Sequence, residues 1–325
     1  MKKLLALLLT LIITASVLVG CQSSNPNASN ATIKVVTTIF PLYDWVREVA
    51  QDDTDIDIDL LLDNGVDLHS YQPSAKDIIK ISDCDIFIYV GGESDKWVDD
   101  TLAQANNKDM IVVDLMDVLG NKAKEEEVKE GMQAEKEEES TEGEEEPEYD
   151  EHVWLSLKNA SLFTQKIAEA LGKVDTQHAA DFKKNADAYI EKLNALDTQY
   201  QDAVNAASVK TLLFGDRFPF RYLTDDYGLD YYAAFAGCSA ESEASFETIT
   251  FLAGKVDELN LKAIMQIETS DGSISKTVRD NTKDKDQVIL TLDSLQSVTS
   301  ERVDNGETYL SIMTANLDVL KQALS

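Results

Sequence analysis

Strand and helix signals alternate along this chain in two blocks, and a long amphipathic helix lies between them. That alternation is the strongest constraint on the fold, because β-α-β-α order implies parallel sheets covered by helices. In the first block Ile33 to Phe40 is β-branched and apolar. Pro41 then opens a helical pattern through Leu42, Trp45, Val46 and Val49, at a position that suits proline. Asp55 to Leu62 alternates apolar and acidic residues and breaks at Asn64-Gly65. Ser74 starts a helix through Ile78, Ile79 and Ile81; Asp85 to Val90 is apolar and ends at Gly91-Gly92. A helix with Trp97, Val98 and Leu102 leads to Met110–Val113. In the second block the strand candidates are Lys210–Phe214, Tyr231–Phe235, Ala263–Ile267 and Val288–Leu292, with helical patterns beginning near Phe218, Ser245, Ser273 and after Asn305. Between the blocks come a helix from about Val153 to Leu171 and a longer one. In the longer one Phe182, Ala186, Tyr189, Ile190, Leu193, Leu196, Tyr200 and Val204 recur at three-to-four spacing. Its predicted length of roughly 45–50 Å exceeds the width of a small lobe and reads as a rigid connector. The expectation is an α/β protein of two lobes, each a four-stranded parallel sheet flanked by helices. Residues 32–172 would form the N-terminal lobe, 173–208 the linking helix and 209–325 the C-terminal lobe.

The first residues speak to compartment. Lys2 and Lys3 precede an apolar run from Leu4 to Val19, and Leu18-Val19-Gly20-Cys21 follows. This predicts a secretory signal over residues 1–20. The junction resembles a bacterial lipobox, with Cys21 as the lipidated first residue and residues 21–31 as a polar tether. The expected location is the extracellular face of the cell membrane. Sixty acidic residues against 29 basic ones, a formal charge of −31, argue against nucleic acid and fit a protein that handles cations. Cys84 and Cys238, the other two cysteines, are too few and too far apart for a disulfide framework and read as free thiols. Residues 124–150 are mostly Glu and Lys with Gly and Ser; lacking apolar surface to bury, they are expected to be a disordered acidic loop.

The chain has three histidines. His178 opens the long helix and reads as a solvated surface residue. His69 stands in Val66-Asp67-Leu68-His69-Ser70-Tyr71-Gln72-Pro73 and His152 in Asp150-Glu151-His152-Val153-Trp154-Leu155, each where a polar loop meets a helical pattern. In open parallel sheets ligands bind beyond the carboxyl ends of the strands. There the reading places His69 after the second strand, His152 after the fourth, Asp216 after the fifth, Glu243 after the sixth, Glu268 at the end of the seventh and Asp293 at the end of the eighth. Imidazole with carboxylate suits zinc or manganese, and the lack of a thiolate pair argues against copper(I) or iron–sulfur. Asp67, Asp150 and Glu151 are placed to orient the imidazoles.

Four stretches carry a family resemblance: Phe40-Pro41-Leu42-Tyr43, Gly65 to Ser74, Glu151 to Leu155, and Leu292-Asp293-Ser294. Together they make the chain, from about Ile33 to Ala323, resemble the metal-binding lipoproteins of bacterial zinc and manganese ABC importers. The resemblance implies two lobes joined by one long helix, and a bound Zn²⁺, with Mn²⁺ second. It also implies metal ligation by His69, His152 and Asp293, and delivery by a monomer to an ABC permease and its ATPase. The family's third ligand, a His or Glu, falls in a column that holds Arg217 here, and a guanidinium cannot coordinate. Asp216 beside it is the expected substitute, with Glu243 or water as alternatives. Two rival readings are a metal-buffering adhesin without a transporter and a zinc hydrolase with Glu268 as base. The hydrolase lacks any His-Glu-x-x-His helix.

Overall fold

The structure, a computed structural model, describes residues 32–51, 53, 55–133, 148–239 and 243–325. The expected signal peptide, Cys21 and the tether lie outside the described residues. In the N-terminal lobe, β1 (Ile33–Thr37) leads to α1 (Phe40–Ala50), β2 (Ile56–Leu60), α2 (Ala75–Asp83), β3 (Ile86–Tyr89), α3 (Trp97–Ala103), β4 (Ile111–Asp114) and the short α4 (Leu115–Leu119). Local chemistry sets these ends. Pro41 lies at the start of α1, and the Ser74 hydroxyl and Asp77 carboxylate form a reciprocal capping box on α2. A single 3-10 turn, Val153–Leu155, precedes α5 (Leu157–Val174). The helix therefore starts later than its apolar pattern suggests, because the Ser156 side chain accepts the Asn159 N–H as its cap.

The connector is α6 (Ala179–Ala206), about 42 Å long. Phe182, Ala186, Tyr189, Leu193, Leu196, Tyr200 and Val204 form its buried stripe. Near its start Asn185 Nδ2 donates to the Val49 carbonyl at the end of α1 (3.0 Å). The C-terminal lobe then runs through β5 (Thr211–Phe218), α7 (Arg221–Tyr227), β6 (Asp230–Ala236), α8 (Phe246–Leu259), β7 (Ala263–Ile267), α9 (Ser273–Asp280), β8 (Val288–Leu292), α10 (Ser300–Asp304) and α11 (Tyr309–Ala323). Near the far end of α6 the Tyr200 hydroxyl donates to the Met313 carbonyl of α11 (2.6 Å). One helix is thus tied to both lobes.

Both sheets are parallel and four-stranded, in the orders β2-β1-β3-β4 and β6-β5-β7-β8. The order reverses at the first strand of each lobe, which opens a crevice at the carboxyl ends there. One continuous core crosses between the lobes. Trp45 of α1 packs on Phe163 of α5 and edge-on against Tyr309 of α11, with ring centroids 5.8 and 5.1 Å apart. Among the described residues no helix is long and apolar enough to cross a membrane.

Two expectations change. The strand β5 does not stop at Phe214 but runs on to Phe218, with its register against β6 broken between Phe214 and Arg217. Asp216 therefore lies in a bulge inside a strand, not in a loop beyond its end. The acidic segment is also less loose than its composition implies. Residues 134–147 lie outside the described residues, but 124–133 and 148–150 have defined partners. Glu125 bridges Tyr149, and the Gln133 N–H donates to the Ala234 carbonyl of the edge strand β6 (2.9 Å). Lys129 pairs with Asp230 (2.5 Å) over the ring of Tyr231, and Glu127 pairs with Arg221. An edge strand leaves backbone groups unpaired, and this strap uses them. What holds it is ion pairing and a hydrogen bond to the edge strand, with Met132 partly buried against the core.

Asp44, on α1, shows what the interlobe core costs. Its Oδ2 accepts the N–H of Tyr309 across the lobes (2.8 Å), and burial pushes its carboxyl up to about 6 despite that bond. A raised native pKa means that its contribution to stability is fullest below the ordinary carboxylate range and is lost as pH rises through about 6. Asp44→Asn is therefore expected to stabilise the protein by about 1–3 kcal/mol at pH near 8. The gain should disappear near pH 4. Thermal melts of both proteins at the two pH values check this; equal melting at high pH would show that the carboxylate carries no burial penalty.

Candidate metal centre

Two short loops bring two imidazoles together. Asp67 Oδ1 accepts the His69 N–H (3.0 Å) and so starts the 3-10 turn Leu68–Ser70 that presents His69. Asp150 Oδ1 accepts the N–H of His152 (2.8 Å) and also faces its Nδ1 (3.0 Å). The fixed loop carries a fully buried ring. The two Nε2 atoms stand 3.2 Å apart, with ring centroids at 5.1 Å and planes tilted by 56°.

The far nitrogens decide what the near ones can do. A carboxylate only accepts, so the contact with Asp150 puts the His152 proton on Nδ1. His69 Nδ1 faces Ser94 Oγ (2.8 Å) and, farther off, Glu151 Oε2 (3.6 Å). The Ser94 hydroxyl hydrogen-bonds the Glu151 carboxylate and so accepts from His69. Both Nε2 atoms then present lone pairs to one another. Burial, and after it the adjacent His152, pushes His69 down to about 3, so this ring is neutral at physiological pH. Two nitrogens bound at 2.0–2.1 Å to one tetrahedral zinc stand about 3.3–3.4 Å apart. The observed spacing is that of two corners of such a site.

The surroundings are built to this end. Glu151 Oε1 accepts the Ser94 N–H (2.8 Å) in a space open only because residue 92 is glycine, where a Cβ would lie 2.4 Å from that oxygen. Trp154 donates from Nε1 to the Ser294 carbonyl (2.8 Å) and receives the Tyr309 hydroxyl on its own carbonyl (2.7 Å). The His152 loop is thereby fastened to the C-terminal lobe. Arg217 reaches across the cleft to Asp67. Burial works against the charge on Asp67, but Arg217 overrides it and holds the carboxyl below the usual range. Asp225 and Asp226, on α7 beyond Arg217, pair instead with Lys124 and Arg221, and with Ser156 and Lys158.

The expected carboxylates do not join the imidazoles. Asp216 accepts the N–H groups of Arg217 (2.9 Å) and Ile267 (3.3 Å), so it ties the β5 bulge to β7. It is neither beside the histidines nor the cap of α7, which starts after Phe220. Asp293 accepts the Leu295 N–H (2.8 Å) and pairs with Arg302 (2.7 Å). Glu243 is exposed. Both Glu268 oxygens are held by Ser294, its N–H and its hydroxyl each at 2.8 Å, and burial, with Asp293 nearby, raises this carboxyl to about 7. Glu268 is therefore committed to Ser294 and is not the free base that the hydrolase reading requires of it. The group that does come close is Cys238. Among the described residues it forms one cluster with His69 and His152 whose donor atoms all lie within 4.8 Å of one another. Burial, and then the charges of Glu126, Asp150 and Glu151, push its thiol well above the ordinary value. Sequence reasoning passed over Cys238 as a bland thiol. The available signal was its position, two residues beyond the end of β6 and on the face where the histidines lie. His178 is exposed, as expected, and pairs with Asp175 at the start of α6.

Comparison with known proteins now decides the family. The profile of the zinc-uptake complex component A family (ZnuA, periplasmic) matches residues 35–323. The chain belongs to that family. It is 33% identical to the zinc-binding lipoprotein AdcA of Streptococcus pneumoniae serotype 4 over 99% of this chain and 61% of that one. It thus spans about three fifths of the length of the AdcA relatives it matches. It is 30% identical to the high-affinity zinc uptake system protein ZnuA of Bacillus subtilis over 90% of this chain and 88% of that one. The Zn(II)-bound ZnuA-like domain of S. pneumoniae AdcA superposes with a TM-score of 0.69 at 29% identity, covering 90% of this chain and 99% of that domain. The zinc-uptake fold, two four-stranded parallel sheets joined by a long helix, is the fold expected from the sequence. The members are binding components of transport systems and not enzymes.

The bulge assignment yields a prediction. Asp216→Ala strips the acceptor from two backbone N–H groups and is expected to cost about 1–3 kcal/mol of stability. Zinc affinity should stay within a few-fold of the parent. Thermal melts and a chelator-competition titration on the same samples check both halves; a hundredfold loss of affinity would restore Asp216 to the metal.

Proposed function

We propose that the protein captures one Zn²⁺ between its lobes, on His69 and His152, and passes it to an ABC permease energised by an ATPase. The observation that carries this reading is the facing pair of Nε2 lone pairs at 3.2 Å, each fixed by an acceptor or carboxylate-linked hydroxyl on the far ring nitrogen. Two facing lone pairs repel at that distance unless a cation lies between them, and such outer partners are how proteins orient histidine ligands. The names of the relatives, zinc-binding for S. pneumoniae and zinc uptake for B. subtilis, support the choice of ion. Zinc also gains over Mn²⁺, because nitrogen donors rank zinc above manganese and the harder carboxylates Asp216 and Asp293 are occupied elsewhere.

Lipidation of Cys21 would hold the protein at the outer face of the membrane, a reading supported by the signal pattern before it and by the lipoprotein name of the pneumococcal relative. The acidic composition suits capture, since a strongly negative field raises the local concentration of divalent cations. The proposed protein works as a monomer, because one chain supplies both imidazoles.

The test is a competition titration with a chelating dye. His69→Ala and His152→Ala are each expected to weaken zinc binding by more than the roughly 10–100-fold that loss of an outer partner costs. His178→Ala should bind like the parent. Parental affinity in His152→Ala would sink the site. Transport itself is checked by whether the wild-type gene, but not the His152→Ala gene, restores growth under zinc limitation to a strain lacking its own uptake component.

A further inference from the structure

We propose that Cys238 is the third ligand of the metal, bound as a thiolate beside His69 and His152. This rests on the reading of the cleft as a zinc site and gives that site a sulfur donor. Three segments converge there from both lobes. The loop after β2 brings His69, the segment before α5 brings His152, and the turn after β6 brings Cys238. Their donor atoms lie within 4.8 Å of one another, near enough for one ion to reach all three after a small inward shift.

The turn is shaped for this approach. At Gly237 a Cβ would lie 3.0 Å from Cε1 and 3.2 Å from Nδ1 of His152, so a larger residue would push the imidazole away. The bare backbone lets the next residue close on the histidine pair. From the other side Glu126 Oε1 accepts the Cys238 N–H (3.1 Å). Glu126 belongs to the acidic strap, which is anchored on the same edge strand through Gln133 and Ala234. The cysteine backbone is therefore held by a carboxylate whose own segment is already anchored.

The second cysteine offers a control. Cys84 is fully buried among apolar side chains and donates its S–H to the Ile81 carbonyl (3.2 Å). It behaves as a small core residue, as free cysteines commonly do. Cys238 instead borders two imidazoles, while the expected carboxylate, Asp216, is committed elsewhere to backbone N–H groups. On binding, a sulfur–metal bond forms as the S–H bond breaks, and the proton leaves to solvent, so zinc uptake releases a proton. Two imidazoles and one thiolate form a softer set than imidazoles with carboxylates, which favours Zn²⁺ and Cd²⁺ over Mn²⁺.

X-ray absorption at the zinc edge of the loaded full-length protein tests the assignment directly. One sulfur at about 2.3 Å and imidazole nitrogens at about 2.0–2.1 Å are expected. In a parallel experiment Co²⁺ replaces zinc, and a thiolate-to-metal charge-transfer band should appear in the wild type. It should persist in Cys84→Ala and vanish in Cys238→Ser. Cys238→Ser should also lower zinc affinity by more than the roughly 10–100-fold that loss of an outer partner costs. Zinc bound with only nitrogen and oxygen neighbours, or parental affinity in Cys238→Ser, would overturn the sulfur ligand and leave the proposed function standing. Failure of the wild type to bind zinc at all would overturn both. Should Cys238→Ser not fold, the wild-type absorption and cobalt spectra decide the matter by themselves.

Discussion

The structure depends on a repulsion. Two buried imidazole nitrogens, both presenting lone pairs, are held 3.2 Å apart. Left to themselves they would turn away or exchange a proton. The proton on each ring is instead drawn to the far side, toward Asp150 for one and toward Ser94 and Glu151 for the other. Glu151 can stand there because Gly92 has no side chain, and the C-terminal lobe can come close because Gly237 has none. The carboxylates leave a buried negative field around a pair of nitrogen donors, an environment that a small divalent cation relieves.

Both imidazoles belong to the N-terminal lobe, and the C-terminal lobe closes over them. The lobes share one apolar core, and polar links such as Arg217–Asp67 and Tyr309–Asp44 cross between them beside it. Trp45, Phe163 and Tyr309 interlock where α1, α5 and α11 meet, and α6 runs behind them with Tyr189 and Tyr200 fully buried. Polar links such as Tyr309 to Trp154 and Trp154 to Ser294 then fix the angle of the His152 loop. A site built this way is preorganised, and little of the metal's binding energy goes to ordering the protein.

The alternating pattern made the fold legible from sequence. Short apolar strands between capped helices have one strong solution, and Ser74, Pro41 and the Phe182-to-Val204 stripe marked their elements without tertiary information. His69 and His152 were legible as candidates because polar loops at strand ends are where such folds bind ligands. Three features were not legible. The bulge that carries Asp216 depends on pairing with β6 and β7, partners distant in sequence. The strap over residues 124–133 is held by ion pairs to Arg221 and Asp230, about a hundred residues on, and a rule that counts apolar surface does not see them. Cys238 looked bland because a single thiol has no spacing to read. Only the fold sets it beside two imidazoles.

Arg217 is where these threads meet. In sequence it looked hostile to the site, a fixed cation in a column where relatives place a ligand. In the structure its charge is cancelled by Asp67, the same residue that starts the His69 turn. Arg217 therefore keeps one part of the lost ligand's role: it links β5 of the second lobe to the loop of His69 in the first. The donor itself, on the proposal made here, moves one strand over, to the turn after β6. On that proposal Arg217 and Cys238 complement each other physically. A thiolate brings the negative charge that the absent carboxylate would have supplied. The Arg217–Asp67 pair restores the interlobe contact that a metal–ligand bond from β5 would have made. It also uses up the charge of Asp67, so that the acid serves as an anchor for the His69 loop and does not compete for the ion.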